Sequence, residues 1–316
     1  MSAGFERKEE ARTPRDRGER ALRVRFIVNP KAGTGTNMAA AVMSAAREEL
    51  LGLRGLFEIK VSTSRQDAFR LSKEAADKEY DGVFACGGDG TVNIIASALV
   101  GTNTVLGIVP AGSGNGLAHA LGIPQEVRSA VSVINSGRVL KMDVGTACGK
   151  YFFSTAGVGL DAVVSKEYGK WTGSGGKRGV LPYLPIVLKE YLMATPERVT
   201  VRWDDDAFMG NPLILTIANT REYGGGAVIA PEAEPFDGLL DICLVEKAGW
   251  VKDALLAMRI FKGNLGASKQ YRNIKAKAVE VIRGSAGLVQ LDGETFATEA
   301  KVSFGLLPQA LRVWAF

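Results

Sequence analysis

The stretch from Tyr80 to Asn93 restricts this chain to a narrow set of folds. A short apolar strand ending at Val83-Phe84 runs into Cys86-Gly87-Gly88-Asp89-Gly90-Thr91-Val92-Asn93, and apolar spacing from Val92 to Leu99 then suits a helix. Three glycines permit a sharp turn and a close approach of ligand to backbone. A turn that opens onto a helix start offers N–H groups and the positive dipole end, which favours phosphate. Asp89 within such a turn repels phosphate by itself. It fits if a cation lies between, or if it holds the turn through hydrogen bonds. Read as structure alone, the same residues form a tight strand-to-helix turn capped by Asp or Thr.

The unit recurs. Val24 to Val28 reads as a strand, Asn29-Pro30-Lys31-Ala32-Gly33-Thr34-Gly35 as the turn after it, and Met38 to Leu51 as a helix. That turn is no Walker A loop, because no Gly-Lys-Ser/Thr closes it. Phe57 to Val61 is the next strand and Gln66 to Lys78 the next helix. Thr63 between them suits a helix cap or turn. Val105 to Val109 leads into Pro110-Ala111-Gly112-Ser113-Gly114-Asn115-Gly116 and a helix from Leu117 to Leu121. Glycine turns on separate strands of a parallel sheet share its carboxyl edge, where ligands of open α/β folds bind. Two of them can hold one polyphosphate from two sides. Ser113 is not a nucleophile elbow, since Gly-x-Ser-x-Gly fails at Ala111. His119 is the only histidine, which excludes a zinc site built on histidines and argues against histidine base chemistry.

From Val199 the apolar period becomes two. Val199 to Trp203, Leu213 to Ala218, Leu239 to Val245, Ala278 to Ile282 and Gly287 to Leu291 read as short strands of an antiparallel sandwich. Trp250 to Phe261 interrupts them as an amphipathic helix, whose stripe of Val251, Ala254, Leu255, Met258 and Phe261 is expected to pack in the core. Between the halves, Gly157-Val158-Gly159-Leu160-Asp161-Ala162 spells a dinucleotide fingerprint without its βαβ unit. Lys166 to Arg178, with Trp171, reads as a basic loop, either solvated or resting at lipid headgroups. Pro182 to Met193 reads as a helix lining a cleft. Asp237 suits a strand-entry turn, and Asp292-Gly293 an Asp-Gly hairpin. The expected layout is a disordered tail at 1–21, an α/β domain at 22–143, a β-sandwich at 144–305 and a C-terminal segment at 306–316 that returns to the first domain.

A length of 316 residues suits two such domains. No run approaches the ~20 apolar residues of a membrane span, and the first apolar run, from Leu22, reads as a strand and not a signal peptide. Cys86, Cys148 and Cys243 are isolated, which suits a reducing cytosol. A net charge of +5 is too small to argue for nucleic acid but is compatible with an anionic membrane surface.

Gly87-Gly88-Asp89-Gly90-Thr91-x-Asn93 resembles the nucleotide-binding signature of diacylglycerol and sphingosine kinases and, more distantly, of NAD kinases and phosphofructokinases. Asn29-Pro30-x-x-Gly33 looks like the opening motif of the diacylglycerol kinase catalytic family. Pro110 to Ala118 looks like that family's second signature, in a form closer to sphingosine and ceramide kinases. Ile94 departs from the Glu usual there. The resemblance implies an α/β domain of the phosphofructokinase and NAD kinase kind, an all-β sandwich domain and an active site in the cleft between. It implies ATP and Mg²⁺ as cofactors, with Asn29, Thr63, Gly87, Gly88, Asp89, Gly90, Thr91, Asn93, Gly112, Ser113, Gly114 and Asn115 at the nucleotide. Asp292 would be the catalytic base, with Asp89 and Asp143 ordering metal-bound water. A structural Mg²⁺ would sit on Asp237 and the carbonyls of Glu234 and Leu239. The implied activity is phosphorylation of a membrane lipid hydroxyl, foremost diacylglycerol to phosphatidic acid, with a sphingoid base or ceramide as the alternative acceptor. A soluble-substrate kinase of the NAD kinase type and a non-catalytic nucleotide-binding regulator are the rivals. The implied setting is cytoplasmic, peripheral at the inner membrane surface, without nucleic acid, and a homodimer is conceivable.

Overall fold

The computed structural model describes residues 21–32, 37–51, 55–174, 176 and 180–316. The expected tail therefore lies outside the described residues apart from Ala21, as do Gly33 to Gly35 of the first turn. Two compact units form. The first holds the chain up to Ala111 with Leu121–Met142 and Ala310–Phe316; the second holds Gly112–Ala120 and Asp143–Gln309.

The first unit alternates strand and helix: β1 (Arg23–Val28), α1 (Met38–Leu51), β2 (Leu56–Val61), α2 (Arg65–Asp77), β3 (Gly82–Gly87), α3 (Asp89–Leu99) and β4 (Val105–Pro110). The short α4 (Gly116–Ala120) belongs to the second unit, after which α5 (Val127–Ser136) returns to the first. The strands are parallel in the order β2-β1-β3-β4, with Val24 opposite both Phe57 and Gly82. Stepping outward from β1 to β2 and then back across β1 to β3 puts helices on both faces, because such crossovers are right-handed. Accordingly α1 packs with α5 and α2 with α3. β3 and β4 are buried along their whole length, as strands covered on both faces must be. Phe26, Phe84 and Trp314 stack in sequence through this core, at centroid spacings of 4.7 and 5.2 Å. Trp314 comes from the chain end, where Val313 pairs in parallel with Leu106.

β5 (Arg138–Ala147) passes from the first unit into the second at Asp143. There follow β6 (Lys150–Phe152), β7 (Thr155–Gly159), α6 (Leu160–Gly173), α7 (Val180–Met193), β8 (Val199–Trp203), β9 (Asp206–Gly210), β10 (Pro212–Ala218), β11 (Leu240–Glu246), α8 (Trp250–Lys262), β12 (Tyr271–Ala276), β13 (Val279–Arg283), β14 (Gly287–Leu291), β15 (Glu294–Thr298) and β16 (Lys301–Ala315). One antiparallel layer runs β12-β11-β10-β7-β14-β15. The other sets β13 between the start of β16 and β8, with β9 outside β8. Their inner faces meet in one core that includes Phe152, Val201, Ile217, Ile242, Val281, Val289 and Phe304. This is a β-sandwich.

Two expectations fail. The basic segment from Lys166 is mostly helix, since α6 runs to Gly173 and Lys170 pairs with Glu167 one turn back; Gly175, Lys177 and Arg178 lie outside the described residues. The stripe on α8 faces out of the core. Trp250, Val251, Leu255, Met258 and Phe261 are 46–75% exposed, while Asp253 and Leu256 are buried. An acid can take the inner position because its carboxylate accepts hydrogen bonds from Tyr191 Oη, Gln270 Nε2 and the Ala248 N–H.

Candidate active site

In the first unit the site is the turn between β3 and α3. The helix starts at Asp89 itself, with Gly88 as an extended N-cap that supplies no side-chain bond. Asp89 is thus the first helical residue and not a turn residue, a place where a carboxylate suits the helix dipole. Gly88 O accepts the N–H groups of Thr91 and Val92. The bracing comes from β1: Asn29 donates from Nδ2 to Thr91 Oγ1 at 2.9 Å, accepts the Lys31 N–H on Oδ1 and donates its own N–H to Cys86 O. A Cβ on Gly87 would fall 2.7 Å from Thr91, so glycine is what lets Thr91 reach back to Asn29. A Cβ on Gly90 would meet nothing within 4 Å. The surface of the first helical turn is open there, and the first N–H groups of a helix have no intrahelical acceptor. Asn93 follows one turn on, half-buried.

Thr63 is drawn elsewhere. Its N–H and hydroxyl both go to Asp67, whose carboxyl they help hold below the usual range, beside the Ser64 N-cap of α2.

The second glycine turn is built differently. Asn115 adopts a left-handed φ of 50° and closes the loop on itself, exchanging side-chain bonds of 2.9 Å with the N–H and carbonyl of Gly112. Gly114 O accepts the Gly225 N–H, and Cβ atoms on Gly116 or Gly224 would press on the facing backbone at 3.2–3.3 Å. These glycines serve backbone packing. Ser113 alone is exposed, and α4 beyond is a helix of only five residues.

The second unit also gathers the remaining carboxylates. Asp292 and Gly293 both have positive φ, 46° and 84°, and form the β14–β15 hairpin turn. The Asp292 carboxylate accepts three backbone N–H groups, from Phe153, Ser154 and Thr155, at 2.8–3.1 Å. The next carbonyls tie in Asn219. Ser154 O accepts the N–H groups of Asn219 and Thr220, and Asn219 Nδ2 donates to the carbonyls of Phe153 and Asp143. Asp143 is 1% exposed, and its two oxygens accept the Gly238 and Gln309 N–H groups at 2.7 Å. Burial, aided by nearby Asp237, pushes its pKa up against those bonds. Asp143 therefore works as a tie between loops. The structure brings Asp292 and Asp143 into one hydrogen-bonded network through Asn219.

Sequence reading missed Asn219 and Thr220, whose Oδ1 and Oγ1 are buried without a protein partner. Their signal was a polar pair directly after the apolar strand β10. It also missed Asp161, the first-turn acid of α6, which accepts from Thr216 Oγ1 and Tyr223 Oη. Burial pushes Asp161 up to about 6, with those two bonds opposing. A Cβ on Gly157 would lie 2.5 Å from that carboxylate, so the fingerprint-like glycine makes room for an acid on antiparallel β7.

The expected Mg²⁺ ligands share one turn, where Asp237 Oδ1 accepts the Leu239 N–H and Glu234 O accepts the Asp237 N–H. Asp237 Oδ2 already has a counter-cation, Lys275 Nζ at 2.7 Å, which also lies 3.5 Å from buried Asp241. Burial would pull Lys275 down, but the two carboxylates outweigh it and hold its pKa above the usual value. No cluster of three or more acidic, His or Cys groups able to hold a metal occurs among the described residues. The Asp237 carboxylate of this turn is met by the Lys275 ammonium.

Residues 23–147 match the diacylglycerol kinase catalytic domain, and residues 154–315 the YegS C-terminal NAD kinase beta sandwich-like domain. A diacylglycerol kinase of Mycobacterium tuberculosis is 30% identical over 299 residues, covering 92% of this chain and 94% of the relative. One of Bacillus subtilis is 29% identical, covering 86% and 89%. A probable lipid kinase, YegS-like, of Pseudomonas putida is 32% identical, covering 82% and 85%. A crystal structure of a putative diacylglycerol kinase from Bacillus anthracis aligns with a TM-score of 0.76 at 24% identity, over 93% of this chain and 97% of that one.

Proposed function

This chain belongs to the diacylglycerol kinase-like family and is a lipid kinase, and we propose that it transfers the γ-phosphoryl group of ATP to the free hydroxyl of diacylglycerol, giving phosphatidic acid. The observation that carries the choice of acceptor is the near full-length match to relatives named for that activity. Phosphoryl transfer asks a protein chiefly for positioning and charge stabilisation. In this reading the open start of α3 receives ATP phosphate oxygens on its N–H groups, with Asn29 and Thr91 fixing the turn. Asp292, held by three backbone N–H groups, takes the proton of the lipid hydroxyl as its oxygen bonds to the γ-phosphorus and the bond to ADP breaks. Asp89 and Asn93 line the α3 end of the site. Mg²⁺ carried in with ATP would offset phosphate charge; no step here is assigned to a resident metal. A membrane-lipid acceptor and ATP as donor support a setting at the cytoplasmic face of a membrane, as a peripheral enzyme.

The test is a purified-protein assay with labelled ATP, Mg²⁺ and a panel of diacylglycerol, sphingosine, ceramide and NAD. Labelled phosphatidic acid is expected, and Asp292→Asn is expected to lower turnover by about a thousandfold, within the range for removing a general base. A phosphorylated sphingoid base would reassign the acceptor. Normal ATP binding with no product, and no change in Asp292→Asn, would sink the kinase reading.

A further inference from the structure

The outer face of α8 has no counterpart in the chemistry above. Trp250 is 75% exposed, and Val251, Leu255, Met258 and Phe261 are each about half exposed or more. At 100° per residue these five occupy one continuous side of the helix. Its opposite side, with Leu256 and part-buried Ile260, packs on Ile229, Val245 and Leu265. The charge is sorted as well. Asp253 is the only acid of α8, and it is turned inward and bonded to Tyr191 and Gln270. The other charges are Lys252, Arg259 and Lys262, all positive: Lys252 and Arg259 border one edge of the apolar stripe, and Lys262 lies within it between Val251 and Leu255. Neighbouring α7, joined through Tyr191, leaves Leu192 and Met193 more than 65% exposed.

We propose that α8 is the element by which this protein docks on an anionic lipid surface, its Trp250–Phe261 stripe entering the headgroup layer and its three cations meeting lipid phosphates. An interfacial helix combines an apolar face with Lys and Arg beside it, and an aromatic at its edge suits the headgroup level. Cations along one edge and within the stripe, with no outward acid on α8, suit an anionic lipid surface. The choice of a lipid surface rests on the lipid-kinase reading. No helix among the described residues is long and apolar enough to cross a membrane, so docking from one side is the contact that α8 offers.

Vesicle co-sedimentation tests it, with equimolar phosphatidylcholine and phosphatidylglycerol against pure phosphatidylcholine. The native chain is expected to bind the mixed vesicles, and the double variant Leu255→Gln/Phe261→Gln to lose at least about tenfold in affinity, as expected for two lost apolar anchors. Arg259→Glu/Lys262→Glu is expected to erase the preference for the anionic vesicle. Leu255, Phe261 and Lys262 are exposed and Arg259 half-exposed, and circular dichroism checks that both variants fold. On short-chain diacylglycerol dispersed in detergent, the apolar variant is expected to keep native turnover. If no acceptor is phosphorylated by any form while vesicle binding still depends on α8, docking stands and the kinase reading falls. Equal vesicle binding by native and apolar variant overturns the proposal. So does a native dimer that the apolar variant splits, which would assign the face to a second copy.

Discussion

At Gly87 to Thr91, in the first unit, the chain leaves Gly90 facing space in which a Cβ would touch nothing within 4 Å. At Gly112 to Gly116, in the second, Gly116 lies against the backbone of Gly224 closely enough that a Cβ would sit 3.3 Å from it. The first turn feeds an α-helix of eleven residues, the second one of five. In the first, an asparagine from another strand braces the turn; in the second, Asn115 spends its amide on the turn's own backbone. One residue type thus answers two demands, room for something outside the chain and close approach of the chain to itself. Only the first demand suggests a ligand.

Gly87→Ala is expected to have the largest effect. Its Cβ would fall 2.7 Å from Thr91 inside a buried strand end, a local overpacking that costs about 2–3 kcal/mol. Urea unfolding should show that loss, and ATP-dependent turnover should vanish as Thr91 is pushed off Asn29. An unchanged midpoint would mean that the bracing of the first turn is dispensable. Gly224→Ala comes next. It combines a φ of 110° with a contact of 3.2 Å to Gly114, and strain of that kind costs about 1–3 kcal/mol. A stability loss of that size with ATP affinity intact would sharpen the contrast, by making the second turn a packing element alone.

Gly90→Ala separates the two demands most cleanly. The added methyl meets no protein atom, and alanine is the better helix former, so stability should hold or rise by up to about 0.5 kcal/mol. If phosphate approaches that surface, kcat/KM for ATP should fall about tenfold, which is about 1.4 kcal/mol. Unchanged kinetics would break the comparison, leaving Gly90 as an unused gap.

Sequence patterning reached the parallel strands and the apolar strands of the sandwich because burial on one face or two leaves a period. It missed β9, β12 and β15, where Asp206, Arg272 and Lys275, or Glu294 and Thr298, dilute that period. For α8 it found the helix and its apolar stripe but assigned the wrong side to the core. Periodicity locates a stripe and cannot tell whether protein or solvent faces it. What decided was Asp253, buried because three donors elsewhere in the fold satisfy it. The glycine turns were legible in the sequence, and the Asp-Gly pair implied the left-handed hairpin turn at Asp292. The Asn219 network and the Lys275 pair were not, because they depend on which loops meet.

A third glycine extends the contrast and gives the smallest effect. Gly157 makes room neither for a ligand nor for backbone, but for the Asp161 carboxylate. Burial raises that carboxyl from 3.8 to about 6, so the fold disfavours its charged form relative to the unfolded chain. At about pH 3 and below both states hold the proton and the group costs almost nothing. Between there and about 6 the unfolded chain ionises first and stability falls; above about 6 the loss stays constant. Asp161→Asn keeps an oxygen for Thr216 and Tyr223 and removes the titration. Its advantage over native should therefore be near zero at about pH 3 and reach about 1–2 kcal/mol at about pH 7.5, less than the full shift implies because the residue keeps some solvent contact. Urea unfolding of both forms at the two pH values reads it directly. A variant destabilised equally at both would mean that the ionised carboxylate is wanted where it lies, and Gly157 would then join Gly90 as a glycine kept for what binds.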